Sequence, residues 1–123
     1  MFINFSNHPS EGWNPKQLEA ASKYGEVVDV PFARVSSCAT EEEIADIAQR
    51  SADLIMDSIT SADDVVMVQG EFTLTYALVK ILKERGIKVL SACSERVATE
   101  TTDEAGNKVK QSVFSFVKFR EYI

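Results

Sequence analysis

Val65-Val66-Met67-Val68-Gln69-Gly70-Glu71-Phe72-Thr73-Leu74-Thr75-Tyr76 decides the fold. Its apolar run has no alternation, the mark of a strand covered on both faces. A polar Gln69-Gly70 step ends the run and turns straight into a helix. In an open parallel sheet such a turn lies at the carboxyl edge, where ligands bind. The start of the chain, Ile3-Asn4-Phe5-Ser6-Asn7-His8, has the same construction. With both strands central and adjacent, the two turns face each other across one crevice.

The flanking segments supply the rest of an α/β layout. Asn14-Pro15-Lys16-Gln17 opens a helix with a cap, a first-turn proline and a reciprocal capping position, and Gly25 suits its left-handed exit. Val27 to Val30 reads as a strand closed by Pro31. Thr40 and Glu43 form a capping box for a second helix, whose buried face is Ile44, Ile47, Ala48, Ile55 and Ile59. A third helix runs from about Phe72 to Arg85 and exits at Gly86. Ile87 to Leu90 is then a fourth parallel strand, followed by a loop, Ser91 to Arg96. Segments Arg96 to Thr102 and Lys108 to Phe119 flank a turn-rich Asp103-Glu104-Ala105-Gly106-Asn107 and read as an antiparallel hairpin.

Right-handed crossovers then give a Rossmann-like open sheet, mostly parallel. The order is 2-1-3-4, with helices on both faces and a C-terminal antiparallel hairpin. The whole chain, 1–123, is one domain.

Composition narrows the function. The net charge is −6; residues 1–60 hold ten acids and four bases, and residues 61–123 hold nine of each. Duplex nucleic acid is an unsuitable partner for a chain with so acidic a first half. No apolar run approaches the roughly 20 residues needed to cross a bilayer, so no membrane is expected. Cys38 and Cys93 stand alone without metal spacing, which reads as a reduced cytoplasmic protein. No metal constellation and no cofactor motif stand out.

The crevice residues carry the chemistry. Ser6, Asn7 and His8 offer a hydroxyl, an amide and the chain's only imidazole, suited to acid or base work near neutrality. His8-Pro9 is equally readable as a surface turn. Gly70 lets a ligand approach the backbone. Glu71 already answers the helix dipole, which argues against phosphate there and leaves it to accept from a ribose or base. Gln69, Phe72 and Thr73 complete that turn, whereas Thr75 packs beside the sheet. Ser94 and Arg96 follow strand four; Arg96 either holds a phosphate or pairs with Glu95, Glu71 or Glu100. Trp13 is a packing staple or a stacking surface for a base.

The strand end Asn4-Phe5-Ser6, the run Val68 to Phe72 followed by Thr75-Tyr76, and the closing Val117-Lys118-Phe119-Arg120-Glu121-Tyr122 resemble small CRISPR-associated proteins. More closely, they resemble the standalone Rossmann-like group related to CARF domains, several of which are ring nucleases. The resemblance runs from Ile3 through Tyr122. It implies a homodimer that binds a cyclic oligoadenylate, most readily cyclic tetra-adenylate, and cleaves it without a metal, ending type III CRISPR signalling. Carried over, Ser6 and Gln69-Gly70-Glu71 line the ligand, and Ser94 and Arg96 contact phosphate. The family tends to write Thr-Thr and a basic residue before that arginine. This chain has Cys93-Ser94-Glu95-Arg96, a negative charge in place of a positive one. A catalytic set of His8, Arg96 and Glu71 is the expectation, with His8 an addition to the family's pattern.

Three other readings share these residues. One is a sensor or sponge that binds a cyclic nucleotide without cleaving it. Another is a different nucleotide or nucleoside enzyme using Glu71 as nucleophile or base. The third is an interaction subunit presenting Phe114, Phe116 and Tyr122, aromatics that a homodimer would bury instead.

Overall fold

The computed structural model describes residues 1–123. The elements run β1 (Phe2–Ser6), a 3-10 turn (Ser10–Gly12), α1 (Pro15–Ser22), β2 (Val27–Asp29), α2 (Glu41–Ser58), β3 (Val65–Gln69), α3 (Phe72–Glu84), β4 (Lys88–Thr102) and β5 (Lys108–Glu121). They form one five-stranded sheet in the order β2-β1-β3-β4-β5, parallel throughout except for β5.

The central strands carry the core on both faces, as their unalternated sequences require. Ile3, Phe5, Val66, Val68 and Val89 pack toward α2 and α3, against Ala48, Ile55, Leu74 and Leu78. Phe2, Val65, Met67 and Leu90 pack toward α1, against Trp13 and Ala21. Each fully buried large apolar side chain contributes about 1.5–3 kcal/mol. Helix starts follow the sequence signals: Asn14 accepts from the Gln17 N–H (2.9 Å) and Thr40 from the Glu43 N–H (3.2 Å). Gln17 contributes its N–H and not a side-chain bond.

The C-terminal third differs from the sequence expectation. Ser91 to Arg96 is not a loop, because β4 continues unbroken from Lys88 to Thr102 and β5 returns along it. The Ser91, Ala92 and Ser94 positions are short polar or small residues that signal a loop, yet a full ladder of cross-strand partners holds them extended. The result is a long two-stranded arm leaving the carboxyl edge of the sheet.

A bulge sits between Cys93 and Ser94, where β5 supplies an extra residue: Cys93 pairs with Lys118 and Ser94 with Phe116. Val117 is the added residue, and it resets the alternation. Phe116 and Phe119 therefore share a face, with ring centroids 4.8 Å apart. Phe119 in turn lies 4.8 Å from Phe2. Strict alternation would have placed Phe116 and Phe119 on opposite faces.

Candidate functional site

The β1 and β3 carboxyl ends are adjacent at the point where strand order reverses, the position favoured for ligands in open α/β sheets. A cleft of about 600 Å³ opens there on the α1 side. His8, Trp13, Asn14, Gln17, Gln69, Ser94, Phe114 and Phe116 are among its lining residues. It combines aromatic walls with a few convergent polar groups, the usual make-up of a small-molecule site.

A polar network anchored on buried Asn4 and Ser6 fixes the mouth of this cleft. The His8 carbonyl accepts from Asn4 Nδ2 (2.9 Å) and from Trp13 Nε1 (3.0 Å). Ser6 Oγ donates to Asn4 Oδ1 (2.7 Å) and accepts from the His8 N–H (3.2 Å). Asn4 Nδ2 also donates to Asp29 Oδ1 (2.9 Å), and Asp29 accepts from Ser10 Oγ (3.0 Å). Every hydrogen bond made by His8 runs through its backbone, which leaves both imidazole nitrogens open to a ligand. Trp13 stands edge-on to Phe2 and is nearly buried, so it serves as a packing residue that also forms a cleft wall.

Gln69 closes the floor. Its Oε1 accepts the Ala92 N–H (2.9 Å), standing in for a backbone carbonyl where β3 ends. That contact orients the amide so that Nε2 faces away from the ladder.

The predicted site residues divide into groups. His8, Gln69 and Ser94 come together in the cleft. Ser6 lies behind it, buried in the network. Asn7 and Glu71 line a separate hollow on the other face of the sheet, with Phe32 and Arg34. Phe72 and Thr73 are exposed at the start of α3, and Phe72 lines a different groove.

Several expected roles need correction. Gly70 is not open to a ligand: a Cβ placed there would meet the Phe32 ring at 2.4 Å, so the space belongs to an aromatic side chain. Phe32 sits on Phe5 as well, at 4.9 Å between centroids. Thr73 does not face the cleft but donates its hydroxyl to Glu71 (2.7 Å). Glu71 caps α3, accepting the N–H groups of Leu74 (2.8 Å) and Thr73 (3.1 Å). The Leu74 N–H and the Thr73 hydroxyl hold its carboxyl below the ordinary range, and both oxygens are engaged. Arg96 pairs with no carboxylate; its Nη2 and Nε donate to Ser112 Oγ (2.9 and 3.1 Å). Arg96 stands opposite Phe114 in the arm, on the same face as Ser94 and Phe116, so it lies next along from the cleft.

Of the aromatics expected on a partner surface, only Phe114 is exposed, at 70%. Phe116 is 3% exposed, and Tyr122 is half-buried with its hydroxyl donating to the Val68 carbonyl (2.9 Å). Sequence reading missed Asn4 and Asp29, which hold the mouth, and Asn14, Gln17 and Phe116, which line it. A polar Asn4 amid apolar β1 was the available signal, because buried amides are retained where they organise neighbouring backbone.

No three His, Cys, Asp or Glu side chains gather into a metal-binding group, and both cysteines are free. No helix is long and apolar enough to cross a membrane. Comparison with curated proteins and with solved structures returns no match. A family model does match, over residues 1–120, and the chain belongs to the uncharacterized protein MJ1673 family.

Proposed function

We propose that the carboxyl-edge cleft binds a cyclic oligoadenylate and that the chain cleaves it. The observation that carries this reading is the joining of aromatic walls, an open imidazole and a nearby guanidinium along one face. Phe114, 70% exposed, offers a stacking face for a base, and nearly buried Trp13 and Phe116 form the apolar wall behind it. Gln69, Asn14 and Gln17 offer amides to base edges, and Arg96 offers a cation to phosphate.

In the proposed reaction a ribose 2′-oxygen attacks the adjacent phosphorus and the bond to the 5′-oxygen breaks. A linear product with a 2′,3′-cyclic phosphate and a 5′-hydroxyl results. The proton leaves the 2′-oxygen and the leaving 5′-oxygen gains one. His8 supplies the cleft's imidazole, the group placed to exchange a proton with these oxygens. Positioning and charge stabilisation supply the remaining acceleration.

A second reading, binding without cleavage, is favoured by one observation. Glu71 is committed to capping α3 and lies on the far face of the sheet, so the cleft holds no carboxylate base. Trp13 is the chain's only tryptophan and forms a cleft wall, which makes its fluorescence a direct probe. Titration with cyclic tetra-adenylate is expected to give a saturable change in intensity. An unchanged spectrum together with no heat of binding by calorimetry contradicts both readings.

A further inference from the structure

The acidic first half of the chain contains only two arginines, Arg34 and Arg50, and the fold brings both to one hollow. It holds about 290 Å³ on the α2 face of the sheet, away from the cleft, and its other walls are Ala33, Ile47 and Ser51. An anchored loop presents Arg34. Phe32, Ala33 and Val35 pack on the core beneath α2, and Phe32 fills the space over Gly70, so Arg34 alone of these four is exposed. Arg50 donates its Nε to the Asp46 carbonyl (3.4 Å), and its terminal nitrogens make no hydrogen bond. The chain's two ion pairs, Met1 with Asp64 and Arg85 with Asp53, use neither arginine. Glu43 and Asp46, the acids one turn away on α2, stay outside the hollow's lining. Two guanidinium groups thus line one small space with no carboxylate between them.

Ser51 is an independent sign of a ligand. It is 6% exposed, yet its hydroxyl makes no hydrogen bond. Ser22 and Ser58, also helical, donate to the carbonyl four residues back (2.7 and 3.4 Å), and Ser51 does not. Nor is its oxygen sealed in, because Thr75 Oγ1 is the one fully enclosed side-chain polar atom that lacks a partner. The Ser51 hydroxyl therefore opens onto the hollow it lines, where a bound acceptor would satisfy it.

We propose that this hollow binds a phosphate group, held between the guanidinium groups of Arg34 and Arg50, with the Ser51 hydroxyl donating to a further oxygen. Arginine forks match phosphate oxygens two at a time. Arg34 also lines the adjoining hollow of about 350 Å³, which holds Asn7 and Glu71. The Glu71 carboxylate opposes a second anionic group there, whereas the Asn7 side chain suits a hydroxyl. A sugar phosphomonoester therefore fits the pair of hollows better than a diphosphate. The site is separate from the cleft and stands whatever the cleft binds.

Calorimetric titration of the full chain at low ionic strength tests it, with inorganic phosphate and ribose 5-phosphate as probes and ribose and potassium chloride as blanks. Both phosphates should bind saturably, ribose 5-phosphate the more tightly. Arg34→Gln and Arg50→Gln should each weaken binding about tenfold or more, since each removes charge-assisted hydrogen bonds. Ser51→Ala should weaken it about threefold without lowering the melting temperature of the free chain, because its hydroxyl has no partner to lose. Asn7→Ala should reduce ribose 5-phosphate to the affinity of inorganic phosphate. Equal affinity for the two probes, with the arginine losses intact, upholds the phosphate site and assigns it to free inorganic phosphate. No saturable heat from either phosphate, or binding that both arginine variants retain, would overturn the proposal.

Discussion

The backbone N–H of Ala92 donates to the side-chain Oε1 of Gln69 at 2.9 Å, beyond the last backbone register pair of β3 and β4, Met67 with Leu90. One amide side chain thus continues the ladder where the strand itself has turned into α3. It fixes the point from which the arm leaves the sheet and shapes the cleft floor. Gln69→Ala should cost about 1–2 kcal/mol by urea denaturation, because the half-buried Ala92 N–H loses its acceptor. Gln69→Glu keeps the acceptor and should recover most of that loss.

Gly70 and Phe32 form a pair in which the glycine exists for the ring. Gly70→Ala should destabilise the fold by about 1–3 kcal/mol, the usual range for overpacking. Phe32→Ala in the same chain should relieve the clash, so the double variant should lose less than the sum of the singles. Additive losses in thermal or urea unfolding would show that the ring does not occupy that space.

Asp64 gives the chain an acid-sensitive anchor. The Thr60 N–H above all, and then the N-terminal ammonium 2.9 Å away, lower its pKa to about 2. A carboxyl whose folded pKa is depressed stabilises fully above its ordinary value, about 3.9, and loses that contribution as pH falls through the folded one. Stability should therefore decline between about pH 4 and pH 2. Asp64→Asn should be less stable at neutral pH and flatter across that window, as followed by denaturation at stepped pH.

Glu71 caps α3 through the Thr73 and Leu74 N–H groups. Glu71→Gln should lower the melting temperature while leaving cleavage of a cyclic oligoadenylate intact. Abolished turnover with preserved binding would instead identify Glu71 as nucleophile or base and favour a different nucleotide enzyme on the same fold.

The fold was legible in the sequence wherever a periodicity or a cap was local. Thr40 with Glu43, Asn14 with Pro15, and the unalternated Val65 to Val68 each specify their element within a few residues. Strand order followed from crossover handedness. The arm was not legible, because Ser91 to Arg96 has turn-like composition and its extended state comes from β5, distant in sequence. The bulge at Val117 was hidden for the same reason, and with it the inward turn of Phe116. At the site, His8 and Gln69 were readable from their place at the carboxyl ends of β1 and β3, whereas Ser94 was read as a loop residue and lies inside β4. Phe32 over Gly70 was not readable, since nothing local says which loop side chain fills the space a glycine leaves.

The most direct test of the central claim is incubation of the purified chain with cyclic tri-, tetra- and hexa-adenylate in EDTA, with products resolved by liquid chromatography and mass spectrometry. The account predicts linear fragments ending in 2′,3′-cyclic phosphate, formed more slowly by His8→Ala. Rings that stay intact yet bind leave the cleft as a sensor. Rings that neither bind nor break contradict the account.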